Sequence, residues 1–178
     1  AGRKLTGAKF MGCNFAGASL VGADLRGAAF LGSNFAGADL TRADLRGASM
    51  VGARFMLANF SGAALAGLEA PGTDFMSANL AGADLRSGEL QGSNLARVDA
   101  RGASFTEADL TGANLSAGKF DKASFQGANL TGADLAGADL ALARNLTQRQ
   151  LDLACADART RLPAGLSAKP CAARGRRR

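Results

Sequence analysis

The side chains able to do chemistry in this 178-residue chain are mostly carboxylates and amides, and they recur at a fixed spacing. Asp or Asn stands directly before the central residue of a five-residue unit, usually Leu or Phe, at 16 places, among them Asp24, Asn34, Asp39 and Asp44. Paired carboxylates serve as general acids and bases when the environment sets two of them apart from the rest. Here each belongs to a series, and nothing marks a neighbouring pair such as Asp39 and Asp44 as an acid and its base. The chain has no His, which removes the commonest general base and the commonest zinc ligand. Its three cysteines, Cys13, Cys155 and Cys171, are scattered too widely for a thiolate metal cluster. The sequence therefore offers no catalytic residue, no metal site and no cofactor site.

What positions the carboxylates is a period of five. From Leu5, Phe10, Phe15 and Leu20 to Leu140, every fifth residue is a large apolar centre except at Ala70 and Ala100, and all ten Phe fall on it. A small residue sits two before the centre, as at Ala8, Ala18 and Ala23. Two after it the residue is most often Gly, beginning Gly7, Gly12, Gly17 and Gly22. Five matches neither the 3.6 of a helix nor the 2.0 of a strand. It fits a chain that turns a corner every pentad, so that four pentads close a square coil and the 28 pentads make about seven coils. At a strand spacing of about 4.8 Å the rod is about 34 Å tall. Centres and small residues face inward, glycine frees the corners and Asx side chains fold back onto the backbone there.

Residues twenty apart stack, so Phe15, Phe35, Phe55 and Phe75 form one core column, continued by Leu95, Leu115 and Leu135. Cys13 takes a small inward position and is expected to be a buried, inert thiol. Two pentads depart from the rule: Leu68 with Ala70 and Val98 with Ala100 exchange the large and small positions. These read as packing variants or as a mild bulge near the fourth coil.

The motif Ala-(Asp/Asn)-(Leu/Phe)-x-Gly resembles that of the pentapeptide-repeat family over residues 3–142. The resemblance implies an all-β solenoid, a right-handed quadrilateral β-helix. After Leu140 the register stops. Thr147 with Gln150 makes a capping box, and Leu151, Ala154, Cys155 and Ala158 follow at helical spacing, which predicts a cap helix over about 148–159. The chain thus divides into a β-helix over 1–142, a cap over 143–166 and a basic tail over 167–178, expected to be flexible. The cap, from Leu146-Thr147-Gln148 through Leu162-Pro163 to Cys171, also resembles a terminal module of some exported bacterial members. That resemblance implies a Cys155–Cys171 disulfide, worth on the order of 3 kcal/mol for its sixteen-residue separation, and a periplasmic or secreted protein. A cytosolic protein with three reduced thiols stays open. Ala1 in place of Met implies a processed or trimmed N-terminus, and no apolar run reaches the roughly 18 residues of a membrane span.

Charge divides unevenly. Residues 1–140 carry 12 Lys and Arg against 13 Asp and Glu, and residues 141–178 carry 9 against 2. The residue after each centre projects outward, giving two candidate partner columns: an apolar one through Met11, Leu31 and Val51, and a basic one through Arg26, Arg46 and Arg86. The first function implied is a non-catalytic protein-interaction scaffold of the bacterial envelope with an unidentified protein partner. The family resemblance also implies two others: a homodimer through a rod end, and protection of DNA gyrase by DNA mimicry, although mimicry wants an acidic rod. A third reading, nucleic-acid binding by Arg174, Arg176, Arg177 and Arg178, lacks the aromatic platform such sites use.

Overall fold

In this computed structural model residues 3–171 are described. The chain pairs with itself at an offset of twenty. Lys4 pairs with Asp24, Lys9 with Ala29, Asn14 with Asn34 and Ser19 with Asp39, all parallel, and the offset holds through Ser124 with Arg144. Around each pairing the bonds alternate: the Leu25 N–H donates to Asp44 O at 2.7 Å, and the Asp44 N–H donates to Ala23 O at 2.9 Å. The backbone is satisfied by the next coil, which a five-residue side alone could not achieve.

Two residues after each centre the chain turns with φ near +60°, as at Gly22 (62°) and Gly27 (62°). Eight side-chain-bearing residues take this left-handed corner too: Arg42, Leu57, Ser77, Ser87, Arg97, Glu107, Ala117 and Lys122, with φ between 53° and 61°. Asx residues brace many of the corners. Asn34 Oδ1 accepts the Ala36 N–H at 3.1 Å, and Asp39 Oδ1 accepts the Thr41 N–H at 3.0 Å.

Centres and small residues fill one continuous core. The rings of Phe15, Phe35, Phe55 and Phe75 stack at centroid distances of 4.8, 5.0 and 5.6 Å, tilted 13–19°. Phe35, Phe55 and Phe75 are buried. Phe15 is half-buried with Leu5, Phe10 and Leu20, since no described coil lies beneath them. Cys13 is half-buried for the same reason rather than buried, and its N–H donates to Ser33 Oγ at 3.1 Å.

Of the two readings of Leu68 and Ala70, the packing variant holds and the bulge does not: Ser49, Glu69 and Glu89 pair in unbroken register. The large residue at Leu68 is admitted by a glycine one coil on, Gly88, and a second inward glycine, Gly118, admits a phenylalanine ring. A Cβ on Gly88 would lie 2.8 Å from Leu68 Cδ2, and one on Gly118 would lie 2.6 Å from Phe120 Cε2. These glycines make room for a neighbouring side chain and do not turn corners.

The cap corrects the sequence expectation. The helix α1 is Gln148–Leu153, six residues and not twelve. Ala154 is already extended, and the chain returns to the edge of the rod, where Cys155 pairs with Asp134 and Arg161 with Asp139. Backbone groups left by the last coil are met there: Leu135 N–H donates to Cys155 O at 2.8 Å and Leu140 N–H to Arg161 O at 2.7 Å. This edge wins over continued helix because it would otherwise stay unpaired. Two short strands follow, β1 (Cys155–Ala156) and β2 (Lys169–Pro170), paired in parallel. Residues 167–171, placed by sequence in a flexible tail, are therefore held against the cap; residues 172–178, with the four terminal arginines, lie outside the described residues.

Candidate functional site

Two regions carry the predicted site residues: the C-terminal closure and the outer corners. At the closure, Thr147 and Gln150 form the reciprocal capping box, with Gln150 Oε1 accepting the Thr147 N–H at 2.9 Å. Gln150 does more than the motif predicts. Its buried amide donates to Phe125 O at 2.7 Å and Ala128 O at 2.9 Å, so one side chain caps the helix and seals the last coil. Leu151 and Ala154 are buried over that coil. Gln148 fastens the returning strap, accepting the Ser167 N–H at 3.1 Å and donating to Ser167 O at 2.9 Å. Cys155 and Cys171 are joined in a disulfide with Cα atoms 4.6 Å apart. Cys171 N–H also donates to Ala156 O at 3.0 Å.

The cysteines are less scattered than their spacing suggests. Asp134, Cys155 and Cys171 bring their oxygen and sulfur atoms within 4.8 Å of one another. Both sulfurs are committed to each other in the disulfide.

On the outer corners the two predicted columns behave differently. Met11 (65% exposed) and Leu31 (49%) stand out into solvent, while Val51 is half-buried. The basic column is self-neutralised. Arg26 folds back on Asp24 with two bonds of 2.8 and 2.7 Å, and Arg46 on Asp44 with 2.8 and 2.6 Å. Arg86 does the same on Asp84 with 2.8 and 2.7 Å. These bidentate bonds hold the Asp24, Asp44 and Asp84 carboxyls below the usual carboxylate range, against the opposing effect of partial burial. The same fork joins Arg101 to Asp99 and Arg159 to Asp157, and the Arg159 bonds lower the Asp157 pKa to about 2.

Arginines set among aspartates already imply a locally neutralised face, but the basic column does not show which aspartate each one meets. The spacing does show it: Asp-x-Arg occurs at 24–26, 44–46, 84–86, 99–101 and 157–159, and residues two apart on an extended strand share a face. The columns missed Leu57, 67% exposed at a left-handed corner where glycine is usual.

A solenoid whose chain pairs with itself every twenty residues around a filled core is a structural repeat protein. The chain belongs to the pentapeptide-repeat family: the profile for pentapeptide repeats matches with eight copies over residues 1–32, 8–47, 23–62, 58–97, 78–116 and 108–144. Members of this family form right-handed β-helices and are generally non-catalytic. No curated protein matches the chain. Among solved structures it is similar to a trypsin-treated variant of QnrB1, a plasmid-mediated fluoroquinolone resistance protein. That pair is 23% identical over 86% of this chain and 84% of the other, with a TM-score of 0.53. It is also similar to alr5209, a pentapeptide repeat protein from Nostoc PCC 7120, 30% identical over 61% of this chain and 84% of that one, with a TM-score of 0.48. No helix among the described residues is long and apolar enough to cross a membrane.

Proposed function

We propose that this protein is a non-catalytic scaffold, a rod of about seven coils with a short helical cap that presents its outer surface to another protein. Its place is outside the cytosol, in the bacterial envelope, where the Cys155–Cys171 bridge persists. The observation that carries the binding reading is the contrast between the two columns. The arginines spend their charge on their own aspartates, while Met11 and Leu31 keep apolar surface in water. Exposed apolar groups gathered along one corner are the kind of surface that binds partners.

The test is a photo-crosslinking amino acid placed at Leu31 and, as control, at Arg86, in the native cells. The scaffold reading expects a protein adduct from position 31 and little from position 86. Equal yields at both, or none at 31, would contradict it. A gyrase-protecting role, the second reading, draws on the family and the QnrB1-like fold. It requires an unpaired acidic surface, and the Asp–Arg forks argue against that.

A further inference from the structure

One face of the rod carries a pattern that is complementary to itself. On the face centred on Phe15 through Leu115, the outward residues at six successive levels are Asn14, Asn34, Arg54, Asp74, Asn94 and Asn114, an order fixed by their pairing, and a seventh, Asp134, follows above them. Read from the other end, those six levels are the same except that Arg and Asp change places, and Asp134 lies beyond the matched stretch. The corner beside it reads Ala16, Ala36, Met56, Met76, Ala96 and Ser116, again nearly the same in both directions with methionine at the centre. Hydrogen bonds between these corners hold the register, among them Leu57 N–H to Met76 O at 3.0 Å and Ser77 N–H to Ala96 O at 2.9 Å.

Arg54 and Asp74 are stacked neighbours, yet they form no ion pair with each other among the described residues. Arg54 is exposed and no described carboxylate pairs with it, unlike Arg26, Arg46, Arg86 and Arg101. Asp74 uses one oxygen, Oδ1, for the Met76 N–H at 3.0 Å and the Asn94 amide at 2.9 Å, and no described hydrogen bond reaches its other oxygen. Exposed Leu57 and half-buried Met56 and Met76 give the same levels an apolar flank.

We infer that this face binds a second copy of the chain, side by side and antiparallel. The two-fold axis lies across the face between the levels of Arg54 and Asp74. That operation sets Arg54 against the partner copy's carboxylate and Asp74 against its guanidinium. It also brings the methionines together and sets Asn34 opposite the second copy's Asn94 and Asn14 opposite its Asn114. Such reciprocity is the mark of an isologous contact. A parallel arrangement would place like charges opposite each other. Six levels at about 4.8 Å give a contact about 29 Å long and only about 10 Å wide, so the pair belongs to the weak, small-interface class. The inference goes beyond the scaffold reading and does not depend on it.

Sedimentation equilibrium from about 10 µM to 1 mM suits an interface of this size. Four samples are compared: the unaltered chain, R54D, D74R, and an equimolar mixture of the two variants, with circular dichroism confirming the β-helix in each. The unaltered chain forms dimers. R54D carries two carboxylates at the paired positions and D74R two guanidinium groups, so each alone associates at least tenfold more weakly. Their mixture restores association to within about threefold, because every pair across the axis is again opposite in charge. Leu57→Gly, which keeps the corner's backbone preference, weakens the dimer at least threefold and serves should a charge variant fail to fold. A chain monomeric at every concentration, charge variants that dimerise as well as the unaltered chain, or a mixture no better than its components would each overturn the inference. A dimer through a rod end gives the second of these results.

Discussion

Gly88 and Leu68 offer a quantitative test of how the core absorbs its irregular pentads. Leu68 is fully buried, and a Cβ at position 88 would meet its Cδ2 at 2.8 Å and the Leu85 carbonyl oxygen at 3.1 Å. Gly88→Ala must therefore displace a packed leucine, an overpacking cost of about 1–3 kcal/mol. Leu68→Ala alone leaves a cavity at the same place and costs about 2–5 kcal/mol. In the double variant the new methyl enters the vacated space, so the two costs do not add. The Leu85 carbonyl contact remains, which makes the relief partial, and a favourable coupling of about 1–2 kcal/mol is expected for residues in direct contact. At about 2–4 °C per kcal/mol for a chain of this size, that coupling is about 2–8 °C in Tm. Thermal and urea unfolding of the four proteins measures it. Additivity within about 0.5 kcal/mol would refute the claim that Gly88 exists to admit Leu68.

Three further outcomes are expected. Phe55→Ala removes a ring stacked between Phe35 and Phe75 and should cost about 3–5 kcal/mol in urea unfolding, where less than about 1 kcal/mol would contradict its place in the core. Replacing Cys155 and Cys171 by serine should lower stability by about 3 kcal/mol, with hydrogen exchange rising at Ala156 and Lys169–Cys171 and unchanged near Phe55; uniform protection would show that the bridge does not hold the strap. The third concerns pH. Asp24, Asp39, Asp44, Asp84 and Asp99 have carboxyl pKa values lowered in the folded state, mainly by the Arg or Thr two residues on, so the stability they add is present above the unfolded value near 4 and is lost as pH falls through the folded values. Without His, Tm should stay level from about pH 8 to 5 and drop below about pH 4; a Tm that stays level down to pH 2 would show that the forks contribute nothing.

The inward half of the fold was legible because every centre had to be large and apolar in one fixed register. Phe55 and Ala58 could face nowhere else. The outward half was harder, because outward positions constrain one another through side-chain reach rather than through burial. Arg26 looks like part of a basic line until its fork to Asp24 is drawn. The cap misled for a different reason. Leu151, Ala154, Cys155 and Ala158 fit a helical stripe, but Cys155 is recruited by the open edge at Asp134, a tertiary demand that local spacing does not record. Gly88 and Gly118 read as ordinary glycines until the side chains beside them, Leu68 and Phe120, are in place. Cys13 read as buried because its pentad position is inward, although the described chain has no coil beneath it.

The proposed place of this disulfide-fastened rod is outside the cytosol. Its most direct test is to alkylate the protein in its native cells before lysis and count modified thiols by intact mass. The account predicts one modified thiol, Cys13, with Cys155 and Cys171 bridged. Three modified thiols would contradict it, return the protein to the cytosol and make gyrase protection the reading to test next.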